Sequence, residues 1–325
     1  MASTKTSFAG LGLRSPIMIG SCSLTSSVSN LVKFEKEGAG AAVLKSLFEE
    51  NIAWEMAGAG DGADHPEAYD YLFNTVGSKL VSDYLDLIRE AKTKCTIPVI
   101  ASVACHSDGK WTEYARQIEE AGADALELNV MSLSTGKNDE YGTVERLHAD
   151  IVKHVCGTVR IPVIVKLGSN LSNPVALANA LYARGARGVV LFNRFYPTDI
   201  DVERMDFTMK NPFTTGADIS LPIRWAGILS AALPQLPVAV SGGVHDWQGV
   251  AKALLSGACA VEIASAVIKN GAEWIGQTLS GLEDWLMRKD FSDILSCKGK
   301  MNATDPDHAD RLLRTQFLKY FGGIH

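Results

Sequence analysis

The 325-residue chain lacks any close cysteine pair: Cys22, Cys95, Cys105, Cys156, Cys259 and Cys297 are spread out with no CxxC between them. That argues against an iron–sulfur cluster or a structural zinc, and fits reduced, mostly buried thiols of a cytoplasmic protein. The seven histidines form no HExxH and no compact ligand spacing, so no metal is expected. Basic residues are not in excess, with 31 Lys plus Arg against 37 Asp plus Glu. Nothing in that balance supports binding to nucleic acid or to a membrane surface. Met1 to Arg14 holds no long apolar run, and neither a signal peptide nor a transmembrane helix is expected.

What the chain does have is a repeated rhythm of short β-rich runs, each followed by a helical pattern. Strands are expected at Pro16–Ile19, Ala41–Leu44, Ile97–Val103, Ala125–Val130, Val163–Leu167, Gly188–Phe192, Val238–Ser241 and Ala260–Ala264. Helices are expected at Val28–Glu37, Val81–Lys94, Trp111–Ala121, Val144–Val155, Pro174–Arg184, near Ile223–Ala232, at Trp247–Leu255 and at Ala272–Lys289. Four helix exits carry the same small-residue punctuation, around Gly38, Gly122, Gly185 and Gly257. Glycine lets a helix stop in a left-handed turn. Eight such units predict a (β/α)8 TIM barrel forming one domain over 1–325. A doubly wound sheet is the rival, but no GxGxxG follows the first strand.

Long connections are expected at about 48–79 and 194–222, both leaving the strand ends where barrel active sites lie. The first holds His65, Tyr69, Tyr71 and Asn74; the second holds Arg194, Tyr196 and Arg204. Either they close over a ligand, or they are decoration or an oligomer contact. His106 and His245 are further candidates for the barrel mouth.

Lys45 and Lys166 each end an apolar strand. A charge entering a barrel mouth is costly unless paired. It can hold a cofactor oxygen or stabilise negative charge, form a Schiff base, or simply reach solvent. Asn129 and Asn193 end the fourth and sixth strands, and their amides offer both donors and acceptors to a planar heterocycle. Strand capping is the plainer alternative. Glu127, two residues before Asn129, is expected to share its inward side. Ser132 lies in the loop after the fourth strand. A lone serine there is a poor base unless its proton can leave. The glycine pair Gly242-Gly243 after Ser241, with Ala264-Ser265 after the eighth strand, suits a phosphate, because backbone N–H groups converge there.

Together, Lys45, Leu128-Asn129, Val165-Lys166-Leu167, Asn193, Ser241-Gly242-Gly243 and Ala264-Ser265-Ala266 resemble the dihydroorotate dehydrogenase family, in particular its soluble, FMN-containing branch. Phe291-Ser292-Asp293-Ile294 and Lys298-Gly299-Lys300 are also family-like, and the resemblance covers about 7–302. It implies FMN held by Gly20, Ser21, Lys45, Ser46, Asn129, Lys166, Ser241, Gly242, Gly243, Ala264 and Ser265. It also implies substrate contacts from Asn129 and Asn193, with Ser132 on the base position and Lys45 and Lys166 beside the chemistry. Dihydroorotate would lose a proton from C5 to Ser132 and a hydride from C6 to the flavin, giving orotate for pyrimidine biosynthesis. Electrons would pass to fumarate, or to NAD through a partner protein. The lack of an N-terminal apolar helix disfavours a membrane quinone. A homodimer is implied as well.

The chain departs from the family at two places. Where the family carries Asn-x-Ser-Cys-Pro-Asn or its serine variant, the chain reads Asn129-Val130-Met131-Ser132-Leu133-Ser134. Where soluble members carry Asn-x-x-Gly-Leu-Pro-Asn, it reads Asn74-Thr75-Val76-Gly77-Ser78-Lys79. Arg194 follows the strand-six asparagine in place of a small hydroxyl residue, and it or Lys79 could pair with a substrate carboxylate. Three alternatives stay open: an FMN oxidoreductase for another small heterocycle or enone, a flavin-binding barrel without efficient catalysis, and a Lys166-dependent lyase.

Overall fold

The computed structural model describes residues 2–48, 66–105, 111–195, 197–209 and 211–315, with the side chains of 48, 66–78, 105 and 111 excepted. Eight parallel strands close into a barrel: β1 (Ile17–Ile19), β2 (Ala41–Val43), β3 (Val99–Cys105), β4 (Ala125–Val130), β5 (Val163–Leu167), β6 (Gly188–Leu191), β7 (Val238–Ser241) and β8 (Ala260–Ile263). Each pairs with the next, and β8 returns to β1 with Val261 opposite Ile17. Between β2 and β3 the register sets Ala42 opposite Val99. The architecture is the expected (β/α)8 barrel, and the strand limits agree with the sequence pattern to within two residues.

Helices cover the outside: α1 (Val28–Lys36), α2 (Pro66–Lys94), α3 (Trp111–Glu120), α4 (Thr143–Cys156), α5 (Pro174–Ala183), α6 (Ser220–Ala232) and α7 (Trp247–Leu255). Beyond β8 come a short α8 (Ser265–Asn270), then α9 (Glu273–Arg288) and α10 (Pro306–Leu313). The repeated punctuation has one geometric cause. Gly38, Gly122, Gly185 and Gly257 all have φ between 95° and 109°. The alanine after each glycine donates its N–H five residues back, to Phe34, Ile118, Leu181 and Ala253. That bond satisfies an otherwise orphaned helix carbonyl and turns the chain straight into the next strand.

The period-2 alternation of the strands divides the core in two. Outward residues such as Ile17, Val99, Leu126, Val165 and Val189 pack under the helices. Inward residues fill the barrel: Met18, Val43, Ile100, Ala125, Ile164, Val190, Ala239 and Ala260. A hairpin of Thr6–Phe8 and Leu11–Leu13, without a signal in the strand–helix pattern, joins this inner cluster. Its Phe8 is fully buried, and a Cβ on Gly188 would lie 3.0 Å from the ring. Two residues further along the inward register come Gly20, Lys45, Ser102, Glu127, Lys166, Phe192, Ser241 and Glu262, six of them polar or charged. The upper layer of the barrel is therefore polar and charged.

Two connections differ from expectation. The helix predicted over Val81–Lys94 begins at Pro66, so the end of the first long connection is helical; proline suits a first helical position. Within the second, Thr198–Asp201 and Asp206–Met209 form an antiparallel hairpin. It exposes Ile200, Val202, Met205 and Phe207. His65, His106 and Tyr196, and the side chains of Tyr69, Tyr71 and Asn74, lie outside the described residues. No helix among the described residues is long and apolar enough to cross a membrane.

Candidate active site

The C-terminal ends of β5 to β8, with Ser21 beyond β1, surround a cavity of about 180 Å³. Lys166 and Glu262 form part of its wall, with Ser241, Gly242, Gly243, Ala264 and Ser265 on the β7–β8 side. A second cavity of about 330 Å³ adjoins it and shares Phe192, Asn193, Arg194, Thr214, Ser241 and Gly242. Together they fall in the range of small-molecule sites, roughly 300–1,000 Å³.

The β7–β8 side is a backbone cradle. Gly242 and Gly243 have φ of 92° and 78°. A Cβ on Gly243 would sit 2.1 Å from the Ile219 nitrogen, whereas one on Gly242 would meet nothing within 4 Å. Gly243 is therefore fixed by packing and Gly242 by φ, with open space before it. The Ser265 hydroxyl accepts from the Thr214 N–H at 3.1 Å, and Thr214 Oγ1 lies 3.0 Å from His245 Nε2. Burial, aided by Lys269, holds His245 below the usual histidine pKa. The loop between β6 and α6 is thus tied across the cradle. An anionic end group fits here, since glycine backbone N–H groups face the opening and the Asp218 carboxylate on the adjoining wall is engaged by the Thr215 N–H and hydroxyl.

Below the cavity lies the charged layer. Lys166 is 7% exposed, and Glu127 and Glu262 are each 1% exposed. The Lys166 ammonium donates to Glu262 Oε1 and stands 4.0 Å from Glu127 Oε1. Burial alone would lower the lysine pKa, but the two carboxylates outweigh it and hold it above the usual value. Burial and the neighbouring Glu262 push Glu127 well above the usual carboxylate range, against the pull of Lys166. A row of hydroxyls leads away from Glu127. Ser102 Oγ donates to Glu127 Oε1 at 3.4 Å, Ser46 lies 2.8 Å from Ser102, and Ser21 lies 2.9 Å from Ser46. Tyr84 braces the row by donating to the Ser102 carbonyl and accepting from its N–H.

On the other side, Asn129 and Asn193 meet through a 2.6 Å hydrogen bond. Ser132 is half-buried, and its carbonyl accepts from Asn170 Nδ2 at 3.1 Å; its hydroxyl has no partner among the described residues. Gly20 donates its N–H to the Ile263 carbonyl at 2.7 Å, which brings Ser21 beside β8. Lys45 lies just past β2 at the same barrel end, with its side chain exposed and outside both cavities. Arg194 lines both cavities, and its guanidinium donates to the carbonyls of Asn211 and Pro212, strapping the loop to its own turn.

The structure therefore brings Ser21, Asn193, Arg194, Lys166, Ser241, Gly242, Gly243, Ala264 and Ser265 to one cavity, and sets Ser46 and Asn129 next to it. It adds Glu262, Ser102, Tyr84 and Thr214, which sequence reasoning left without a role. For Glu262 a signal existed: Ala260-Val261-Glu262-Ile263 is an apolar strand interrupted by a charge, as are the strands holding Lys166 and Glu127.

A family model described as dihydroorotate dehydrogenase matches residues 3–286. The catalytic subunit of dihydroorotate dehydrogenase B (NAD(+)) from Methanosarcina acetivorans is 28% identical, over 88% of this chain and 92% of its own length. Its counterpart from Thermoplasma volcanium is also 28% identical, over 83% and 89%. A dihydroorotate dehydrogenase A (fumarate) from Lactobacillus delbrueckii subsp. bulgaricus is 26% identical, over 91% and 98%. The chain belongs to the dihydroorotate dehydrogenase family, whose members are flavin-dependent oxidoreductases acting on the CH–CH bond of dihydroorotate.

Proposed function

We propose that this chain binds FMN and oxidises dihydroorotate to orotate. The observation that carries the reading is the joining of an anion cradle at Gly242-Gly243 to a buried lysine and an amide pair around one cavity. Gly242, Gly243, Ala264 and Ser265 would hold the phosphate, and Lys166, with Ser21 and Ser46, the polar edge of the ring and its chain. Bound FMN supplies the acceptor for the hydride that leaves C6 of the substrate. Asn129 and Asn193 orient the substrate ring through carboxamide donors and acceptors. Ser132 takes the C5 proton, and its position in an exposed loop gives that proton a way out through water. Lys45 stands at the rim, where its charge favours an anionic substrate. Electrons leave to fumarate or, through a second protein, to NAD; relatives of both names are similar to this chain. We place the protein in the cytoplasm and infer a homodimer, the second reading supported by the apolar side chains on the Thr198–Met209 hairpin.

A second reading has its own observation. The Arg194 guanidinium is engaged by two backbone carbonyls, and the Ser132 loop lacks the proline and second asparagine of the family pattern. Both features favour a different small heterocycle or enone as substrate, on the same flavin. One experiment decides between them. The purified protein is scanned for a flavin spectrum and mixed anaerobically with dihydroorotate. Bleaching that slows in Ser132→Ala supports dihydroorotate. An unbleached flavin that another heterocycle reduces moves the substrate. Absence of flavin after reconstitution overturns the FMN reading.

A further inference from the structure

The charged layer under the cavity contains a polar atom that lacks a donor. Oε2 of Glu262 is buried and has no hydrogen-bond partner among the described residues. Its sister oxygen accepts from Lys166. Two donors at the adjoining end of β1 are already engaged: Gly20 N–H with the Ile263 carbonyl, and Ser21 with Ser46. An ionised carboxylate oxygen left bare in the protein interior is costly. Glu127 is the other buried carboxylate of this layer, and its Oε1 stands 4.0 Å from the same Lys166 ammonium that pairs with Glu262. Two ionised carboxylates so close, sharing one lysine, would leave an uncompensated buried charge.

We propose that Glu127 carries a proton and donates it to Glu262 Oε2, so that Glu262 is the full counter-ion that positions the Lys166 ammonium at the cavity. The cluster is then electrically neutral: one ammonium, one carboxylate and one carboxylic acid. The arrangement satisfies every group with one consistent direction of donation. Ser21 donates to Ser46, Ser46 to Ser102, and Ser102 to Oε1 of Glu127, at 2.9, 2.8 and 3.4 Å. The Glu127 hydroxyl continues to Glu262 Oε2, and Lys166 closes the row on Oε1. Hydrogen bonds aligned head to tail reinforce one another in a low-dielectric interior. The row begins at Ser21, which lines the cavity, so the buried proton is connected by hydroxyls to whatever binds there. Glu127 and Glu262 act through Lys166 and are positioning residues. Their weight in function rests on the FMN reading, whereas the proton itself does not.

The test is infrared spectroscopy of the full-length protein at neutral pH, in light and heavy water. The expected result is a carbonyl band of a protonated carboxylic acid that shifts on deuteration and disappears in Glu127→Gln. No such band in the wild-type protein overturns the proposal, and so does a band that survives in Glu127→Gln. FMN affinity provides the second readout. Glu127→Gln mimics the protonated acid and should stay within about twofold of wild type, whereas Glu262→Gln strips the ion pair and should weaken FMN about tenfold or more. An affinity change beyond about tenfold in Glu127→Gln would mean that a charge had been removed, which overturns the proposal. If the wild-type protein takes up no FMN, the functional reading fails while the band still decides the proton.

Discussion

Asn193 Nδ2 donates to Asn129 Oδ1 across 2.6 Å, and Asn193 Oδ1 accepts from the Arg194 N–H at 2.9 Å. The second bond fixes which end of the Asn193 carboxamide is the donor, and the first then orients Asn129. The amide group of Asn129 is left available to a ligand. On the proposed function, truncating Asn193 to alanine removes one substrate contact and frees the other to rotate. Lost polar partners cost about 1–3 kcal/mol each, so kcat/KM for the oxidised substrate should fall by about 5- to 150-fold. The flavin spectrum should not change. Unaltered kcat/KM would reduce the pair to a strut between β4 and β6.

Gly242 and Gly243 are adjacent and left-handed, yet their alanine variants should fail differently. At Gly243 a Cβ meets the Ile219 backbone at 2.1 Å, so α6 and its loop must move. At Gly242 the Cβ points into open space. Both variants bear the left-handed penalty of about 1–2 kcal/mol. Gly243→Ala should exceed it and lower Tm markedly. Gly242→Ala should stay near that figure but weaken FMN, because its methyl fills the cradle. Equal losses of Tm would contradict this division.

Much of this was legible in the residues because a barrel is built from local, periodic signals. β4, β5 and β7 start and stop where the apolar runs do, and the glycine punctuation marks real left-handed exits. Less legible were pieces whose reason is tertiary. The Thr6–Leu13 hairpin forms because Phe8 is needed inside the barrel, not because six residues make a convincing sheet. The start of α2 at Pro66 lies inside the connection expected over 48–79, where Gly77 interrupts the helical pattern. Glu262 was missed for a different reason. A carboxylate in an apolar strand is costly, and only the β5–β8 geometry reveals Lys166 as its partner. Nothing in the spacing separates Lys45, which reaches the surface, from Lys166, which does not.

Removing the Lys166 charge should damage the fold before it damages chemistry. Lys166→Met keeps the length of the side chain but leaves Glu262 buried without a counter-ion. Breaking a buried pair costs about 3–5 kcal/mol. Urea unfolding should show a lower midpoint at neutral pH with an unchanged slope. Adding Glu262→Gln should recover part of the loss, since the stranded charge is then gone. A double variant no more stable than Lys166→Met would show that packing, not charge, set the cost.

His148 offers a check on acid stability away from the cavity. It lies buried on α4, with Nδ1 2.7 Å from the Val144 carbonyl. A carbonyl only accepts, so that ring nitrogen is the donor. Burial holds the His148 pKa below its usual value, despite the Val144 contact. The folded state therefore binds a proton less readily than the unfolded chain. The stabilisation from this site is complete above the unfolded-chain pKa, about 6.5. It is lost as pH falls through that value towards the depressed folded pKa. His148→Gln should destabilise the protein at pH 8 through lost packing and hydrogen bonding. As pH falls below about 6.5, however, its stability should fall less steeply than that of wild type, because one proton no longer drives unfolding. Urea unfolding below that pH gives both slopes, and parallel curves would remove His148 as the origin of the acid limb.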